Sequence, residues 1–95
     1  MWKLKEQAEG CSKLENAQKL KFWLESLPER IGEMKFAEAG INFDDSDAAF
    51  DVVLYAEFES RRALKTYQAH PEHQRLIKEF LNKVRIEKKV VDYEV

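Results

Sequence analysis

The stretch Phe50-Asp51-Val52-Val53-Leu54-Tyr55-Ala56-Glu57-Phe58 narrows what this chain can fold into more than any other. Read as a strand, it sends Val52, Leu54 and Ala56 one way and Val53 and Tyr55 the other. Both faces are apolar, so both must be covered. The chain has 95 residues, one domain over 1–95, and a domain of that size has few elements to do the covering. Helices packed on one sheet face leave the second face for something else, and a second copy of the chain is the simplest cover.

The other elements fall around that strand. Ser12-Lys13-Leu14-Glu15 fits a capping box, and Leu14, Ala17, Leu20, Leu24 and Leu27 follow at helical spacing. This predicts a helix over about 12–27, stopped by Pro28. Trp2 and Leu4 alternate with Lys3 and Lys5 in a short opening strand. A second strand is predicted over Met34–Phe43 and a last one over about Arg85–Val95, with Val90, Val91, Tyr93 and Val95. Ser60 is a good N-cap for a short helix carrying Ala63, Leu64 and Tyr67. His70-Pro71 breaks that helix, and proline suits the first turn of a new one. The new helix carries Leu76, Ile77, Phe80, Leu81 and Val84 on one face. The order strand, helix, strand, strand, helix pair, strand is that of a split βαβ, ferredoxin-like α+β sandwich. A homodimer joined through the sheet face follows from the uncovered side.

Charge and cysteine usage exclude several classes of function. Sixteen basic against eighteen acidic side chains leave a net charge of −2, and the pI is near 5.7. A nucleic-acid or anionic-membrane partner normally needs a basic face, so neither is expected. No apolar run approaches the ~20 residues of a membrane span. The single Cys11 suits a reducing, cytoplasmic setting and has no nucleophile motif around it. RNA-recognition modules share this strand order, but the strand at Phe50–Tyr55 is acidic and lacks their glycine and basic residue.

Several segments, taken in order, look like one family. They are Trp2-Lys3-Leu4-Lys5, Gly40-Ile41-Asn42-Phe43, Tyr55-Ala56-Glu57-Phe58-Glu59-Ser60, Tyr67-Gln68-Ala69-His70-Pro71-Glu72-His73 and Val90-Val91-Asp92-Tyr93. Together they resemble the stress-responsive A/B barrel (Dabb) family, over nearly the whole chain, and Tyr-x-x-His-Pro-x-His is the most specific part. The resemblance implies a small dimeric alpha-beta barrel. Many members are uncharacterised, and some plant members are polyketide cyclases that use no metal or organic cofactor. In those, the position matching His73 resembles a general base, helped by the position matching Tyr67. Family members begin several residues earlier, with a first strand that contains a histidine. Met1 falls inside that strand, so the chain is either truncated at its start or manages with a shorter edge.

The residues carry their own argument for the same pair. His73, Leu76, Ile77 and Phe80 share a helical face, and Tyr67 shares a face with Leu64. The two side chains should therefore converge where the helices break, beside a small, mainly apolar pocket lined by His70, Leu64 and Ile77. The positive end of the helix dipole favours a neutral imidazole, which can accept a proton. The competing reading is a buried tyrosine and histidine that only satisfy local backbone groups. His70 is expected to cap the new helix or lie at the surface. His70-x-x-His73 lacks the third ligand that zinc normally needs, so no metal is expected. Asp44, Asp45, Asp47 and Asp51 lack the glycine and the bidentate glutamate of a calcium loop, and read as a solvated turn with caps. Trp2, Phe22, Trp23, Phe36 and Phe58 are expected in the core or an interface.

Overall fold

The computed structural model describes residues 1–95. Its main sheet has four strands: β1 (Trp2–Leu4), β4 (Met34–Ile41), β5 (Val52–Phe58) and β6 (Arg85–Lys88). They lie in the order β4-β5-β1-β6, every pair antiparallel. β5 is therefore central and pairs along its whole length with β4. Its inward residues Val52, Leu54, Ala56 and Phe58 meet the core, as do Ala37, Ala39 and Ile41 across the ladder. Val53 and Tyr55 face the other way and stay 45% and 42% exposed. The opposite-face reading of this strand therefore holds, and the helices cover only one side.

Helix α1 (Lys13–Ser26) starts at the expected box: Ser12 Oγ accepts the Glu15 N–H, and the Glu15 carboxylate accepts the Ser12 N–H. Ala17, Leu20, Leu24 and Leu27 are buried. Truncating any of these leucines to alanine removes about 2–5 kcal/mol. Leu14, expected in this stripe, is 58% exposed. Each three-residue step lags the helix by about 60°, which puts Leu14 at the edge of the face that Leu20 and Leu24 define. Asn16 takes the buried place instead and donates to the Ala8 carbonyl at 3.0 Å. Pro28 does not end the helical path at once. It sits in a 3-10 turn (Leu27–Glu29), where its missing N–H costs nothing.

Helix α2 (Arg61–Ala69) is capped by Ser60, whose Oγ accepts the Ala63 N–H. Helix α3 (Pro71–Leu76) begins with proline at its first position, as expected. It then widens into a π-helical turn (Ile77–Leu81) before a last turn, α4 (Asn82–Val84). The wider turn lets the adjacent Phe80 and Leu81 both be buried, together with Val84.

Three further details depart from the sequence expectation. Gln7–Ala8 (β2) and Cys11–Ser12 (β3) form a tiny hairpin around Glu9-Gly10, an element the sequence does not predict. Both turn residues have positive φ, 52° and 74°, as such tight hairpin turns demand. The last strand stops at Lys88 rather than Val95. Lys89 still exchanges hydrogen bonds with Met1. Val90, Val91, Tyr93 and Val95 are exposed. The strand predicted to Phe43 ends at Ile41, where Asn42, Asp44 and Ser46 close successive side-chain turns.

Candidate functional site around Tyr67 and His73

The site is built at the break between α2 and α3. His70 ends one helix and starts the next: its N–H donates to the Tyr67 carbonyl, and its Nδ1 accepts the Glu72 N–H at 3.1 Å. This side chain acts as a cap, so the sharp turn folds the last residues of α2 against the first of α3. Tyr67 and His73 are brought together as a result, with ring centroids 4.4 Å apart. Phe58 of β5 packs against the other side of the phenol, with centroids 4.9 Å apart. Tyr67 is buried, His73 half-buried. Leu64 and Ile77 are half-buried beside the core.

The hydrogen bond of His73 decides which ring nitrogen is reactive. Nδ1 lies 3.1 Å from the Gln68 carbonyl, which can only accept. Nδ1 therefore carries the proton, and in the neutral ring Nε2 holds the lone pair. Gln68 lies in the last turn of α2, where carbonyls lack helical partners, and it also accepts from Gln74 Nε2 at 2.7 Å. Burial holds the His73 pKa below its ordinary value, and the Lys88 ammonium pushes the same way. The phenol of Tyr67 is pushed up to about 12 by burial alone. At neutral pH the pair is thus a hydroxyl donor beside an imidazole with a free lone pair. Sequence reasoning missed Phe58 and Lys88 as neighbours of the pair, because strand and tail residues reach this corner only through the sheet order.

No group of three His, Cys, Asp or Glu side chains is placed to hold a metal ion. No helix is long and apolar enough to cross a membrane. In the aspartate-rich loop, Asp51 holds the fold together: its carboxylate accepts the Leu4 N–H at 2.7 Å and lies 3.6 Å from Lys13. Of the aromatic residues expected in the core or an interface, Trp2 is buried, and Trp23 and Phe58 pack against the core. Phe36 lies on the outer sheet face opposite Glu57. Phe22 is 80% exposed on α1, away from that sheet.

Among the open hollows on the surface, one of about 520 Å³ lies by the aspartate-rich loop, and another of about 640 Å³ lies between α1 and the α3–π segment. Neither is lined by Tyr67, His73, His70, Leu64 or Ile77.

An antiparallel four-stranded sheet with both helical segments on one face defines a ferredoxin-like α+β protein. Within that class the chain belongs to the Stress responsive A/B Barrel Domain (Dabb) family, whose profile matches residues 1–95. Among solved structures it is similar to a dimeric protein of unknown function and ferredoxin-like fold from Bacteroides fragilis. That likeness has 29% identity and a TM-score of 0.83, and covers 99% of this chain and 89% of the other. The fold is also that of At3g17210 from Arabidopsis thaliana, at 23% identity and a TM-score of 0.66, covering 97% and 94% of the two chains. No curated protein matches the chain.

Proposed function

We propose that the protein is a homodimer, joined through its outer sheet face, in which Tyr67 and His73 form the polar end of a small-molecule site between helices and sheet. The dimer is supported by the exposed Phe36, Val53 and Tyr55 on that face, and by the dimeric description of the Bacteroides fragilis relative. The observation that carries the site is the 4.4 Å approach of the two rings, with the Nε2 lone pair of His73 uncommitted. Phe58 packed on the phenol, with Leu64 and Ile77 half-buried beside the core on the flanking helical segments, suits a largely apolar organic molecule with one carbonyl or hydroxyl group.

The tautomer favours a second reading, a cofactor-independent, polyketide-cyclase-like enzyme. There His73 Nε2 takes a proton from the carbon beside a carbonyl, and the Tyr67 hydroxyl donates to the carbonyl oxygen where negative charge develops. The deprotonated carbon then attacks a second carbonyl of the same molecule and closes a ring, and the His73 imidazolium returns its proton to the new alkoxide.

Both readings are tested by titrating His73→Ala, Tyr67→Phe and the parent protein with small aromatic ketones and β-diketones. The His73 ring nitrogens are followed by NMR, and ring closure by mass and absorbance. Binding that moves Nε2 in the parent and weakens in both variants, while they stay folded, supports the site. Turnover lost in His73→Ala supports the enzyme. A melting point lowered by His73→Ala, with no compound perturbing the ring, leaves only the structural role of a helix-end donor.

A further inference from the structure

The hollow between α1 and the α3–π segment has a composition that the Tyr67–His73 corner does not explain. Its floor is aromatic. Trp23 and Phe80 lie in a tilted contact, with centroids 5.9 Å apart and planes 30° apart, and Phe22 stands beside them, 80% exposed. An exposed phenylalanine on the solvent side of a helix gives nothing to the core, yet here it borders a hollow of about 640 Å³. That volume lies within the range of small-molecule pockets, about 300–1,000 Å³.

Cations rim the floor. Lys19, Arg30 and Arg75 line the hollow against a single lining carboxylate, Glu15. The Arg75 guanidinium lies over the Trp23 ring, 5.7 Å from its centroid. Arg30 and Arg75 also converge on one oxygen, Glu72 Oε2, at 3.6 and 3.8 Å. These are ion-pair distances, and that oxygen accepts no hydrogen bond. Arg75 commits its Nε to Glu79, and with five N–H donors on each guanidinium, most remain free for an anion. The indole N–H of Trp23 is buried in the same wall without an acceptor. Phe80 comes from the π-helical turn, a backbone irregularity that recurs at functional sites.

We infer that this groove is a second binding site, for a planar aromatic carboxylate or sulfonate. The ring lies on Phe22, Trp23 and Phe80, and the anionic group is taken by Arg30 and Arg75. The stacking surface selects a flat ring, and the paired guanidiniums select a forked anion over a neutral group. The site faces away from the sheet, so the sheet-joined dimer leaves it open.

The probes are 2-naphthoate and its neutral counterpart 2-naphthylmethanol, titrated into the intact protein with indole and arginine side-chain NMR signals as the readout. The expected result is a shift of the Trp23 indole and Arg30 and Arg75 Nε signals, with naphthoate at least about tenfold tighter than the alcohol. Arg30→Gln and Arg75→Gln should each erase most of that preference, and Phe22→Ala should weaken both probes alike. All three side chains are exposed, so the variants keep the fold, which melting curves verify. Equal affinity for the two probes overturns the proposal. So does an unmoved Trp23 indole, or a response confined to Tyr67 and His73, which would assign the probe to the other site.

Discussion

Glu25 on α1 accepts the backbone N–H of Ala39 on β4 at 3.1 Å. Its neighbour Lys21 donates to the carbonyl of the same alanine at 2.5 Å and pairs with Glu25 at 2.9 Å. β4 is an edge strand, and edge strands with free backbone groups invite pairing with other chains. The helix therefore closes both polar groups of Ala39, at the middle of the exposed edge.

Glu25→Ala should lower stability by about 1 kcal/mol in urea denaturation and raise the rate of aggregation on warming. The Lys21 ammonium and the Ala39 N–H hold the Glu25 carboxyl below the usual range. A depressed carboxyl pKa contributes stability above its unfolded value, about 4.5, that is lost as pH falls toward the folded value. The variant should therefore lose less stability than the parent in acid below that point. Parallel curves for the two proteins would count against the pairing.

Asp51 fastens β1 to the start of β5. Its carboxylate takes the Leu4 N–H at 2.7 Å, and its own N–H donates to the Trp2 carbonyl at 2.8 Å. Asp51→Ala leaves the Leu4 N–H without its acceptor, and should cost about 1.5–3 kcal/mol by chemical denaturation. Asp51→Asn keeps an acceptor and should recover part of that loss. Faster amide exchange at Leu4 in the alanine variant checks that the effect is local.

How much of this was legible in the sequence depends on how far apart the cooperating residues lie. The capping box at Ser12 and Glu15, the break at His70-Pro71 and the meeting of Tyr67 with His73 are all within a few residues, and the structure has each of them. The two-faced strand at Val52–Phe58 was equally plain, since alternation is a local property. The end of the last strand was not. The last strand pairs with β1, at the opposite end of the chain, and no local pattern reports on a partner that distant. The π turn was hidden because Ile77, Phe80, Leu81 and Val84 fit an ordinary helix nearly as well. The aromatic groove was hidden for a third reason: Trp23, Arg30 and Arg75 come from three different segments. The one local signal for it was Phe22, an apolar side chain on the polar side of α1.

The pH response of His73 has a definite sign. Burial places its folded pKa below the unfolded value of about 6.5. Between those two values the unfolded chain holds a proton that the folded chain does not, so stability rises with pH through that window. The contribution is complete above about 6.5 and is lost as pH falls through the window. His73→Gln keeps a donor for the Gln68 carbonyl and removes the titration. It should flatten stability against pH below about 6.5, measured by urea denaturation at a series of pH values. An unchanged slope would mean that His73 is solvated in the folded protein.

The outer sheet face gives the sharpest test of assembly. Val53 lies opposite Gly40, where an added Cβ would come within 3.3 Å of its Cγ1, so the valine lies low over the neighbouring strand. Tyr55 beside it donates to Glu57 Oε2 at 2.5 Å, a contact that helps push its pKa up to about 12 and keeps the ring held along the strand. A second copy related by a twofold axis would cover Phe36, Val53 and Tyr55, which this face leaves exposed. A specific pairing of this kind should bury at least about 1,000 Å² in total. Light scattering on a sizing column should give twice the 11.2 kDa chain mass at micromolar concentration. Val53→Asp would bury two unpaired carboxylates near that axis, a cost large enough to yield monomers that still show native circular dichroism. Val53→Leu, which keeps the surface apolar, should remain dimeric. A parent protein that runs as a monomer, or an aspartate variant as dimeric as the parent, would remove the sheet face from the assembly.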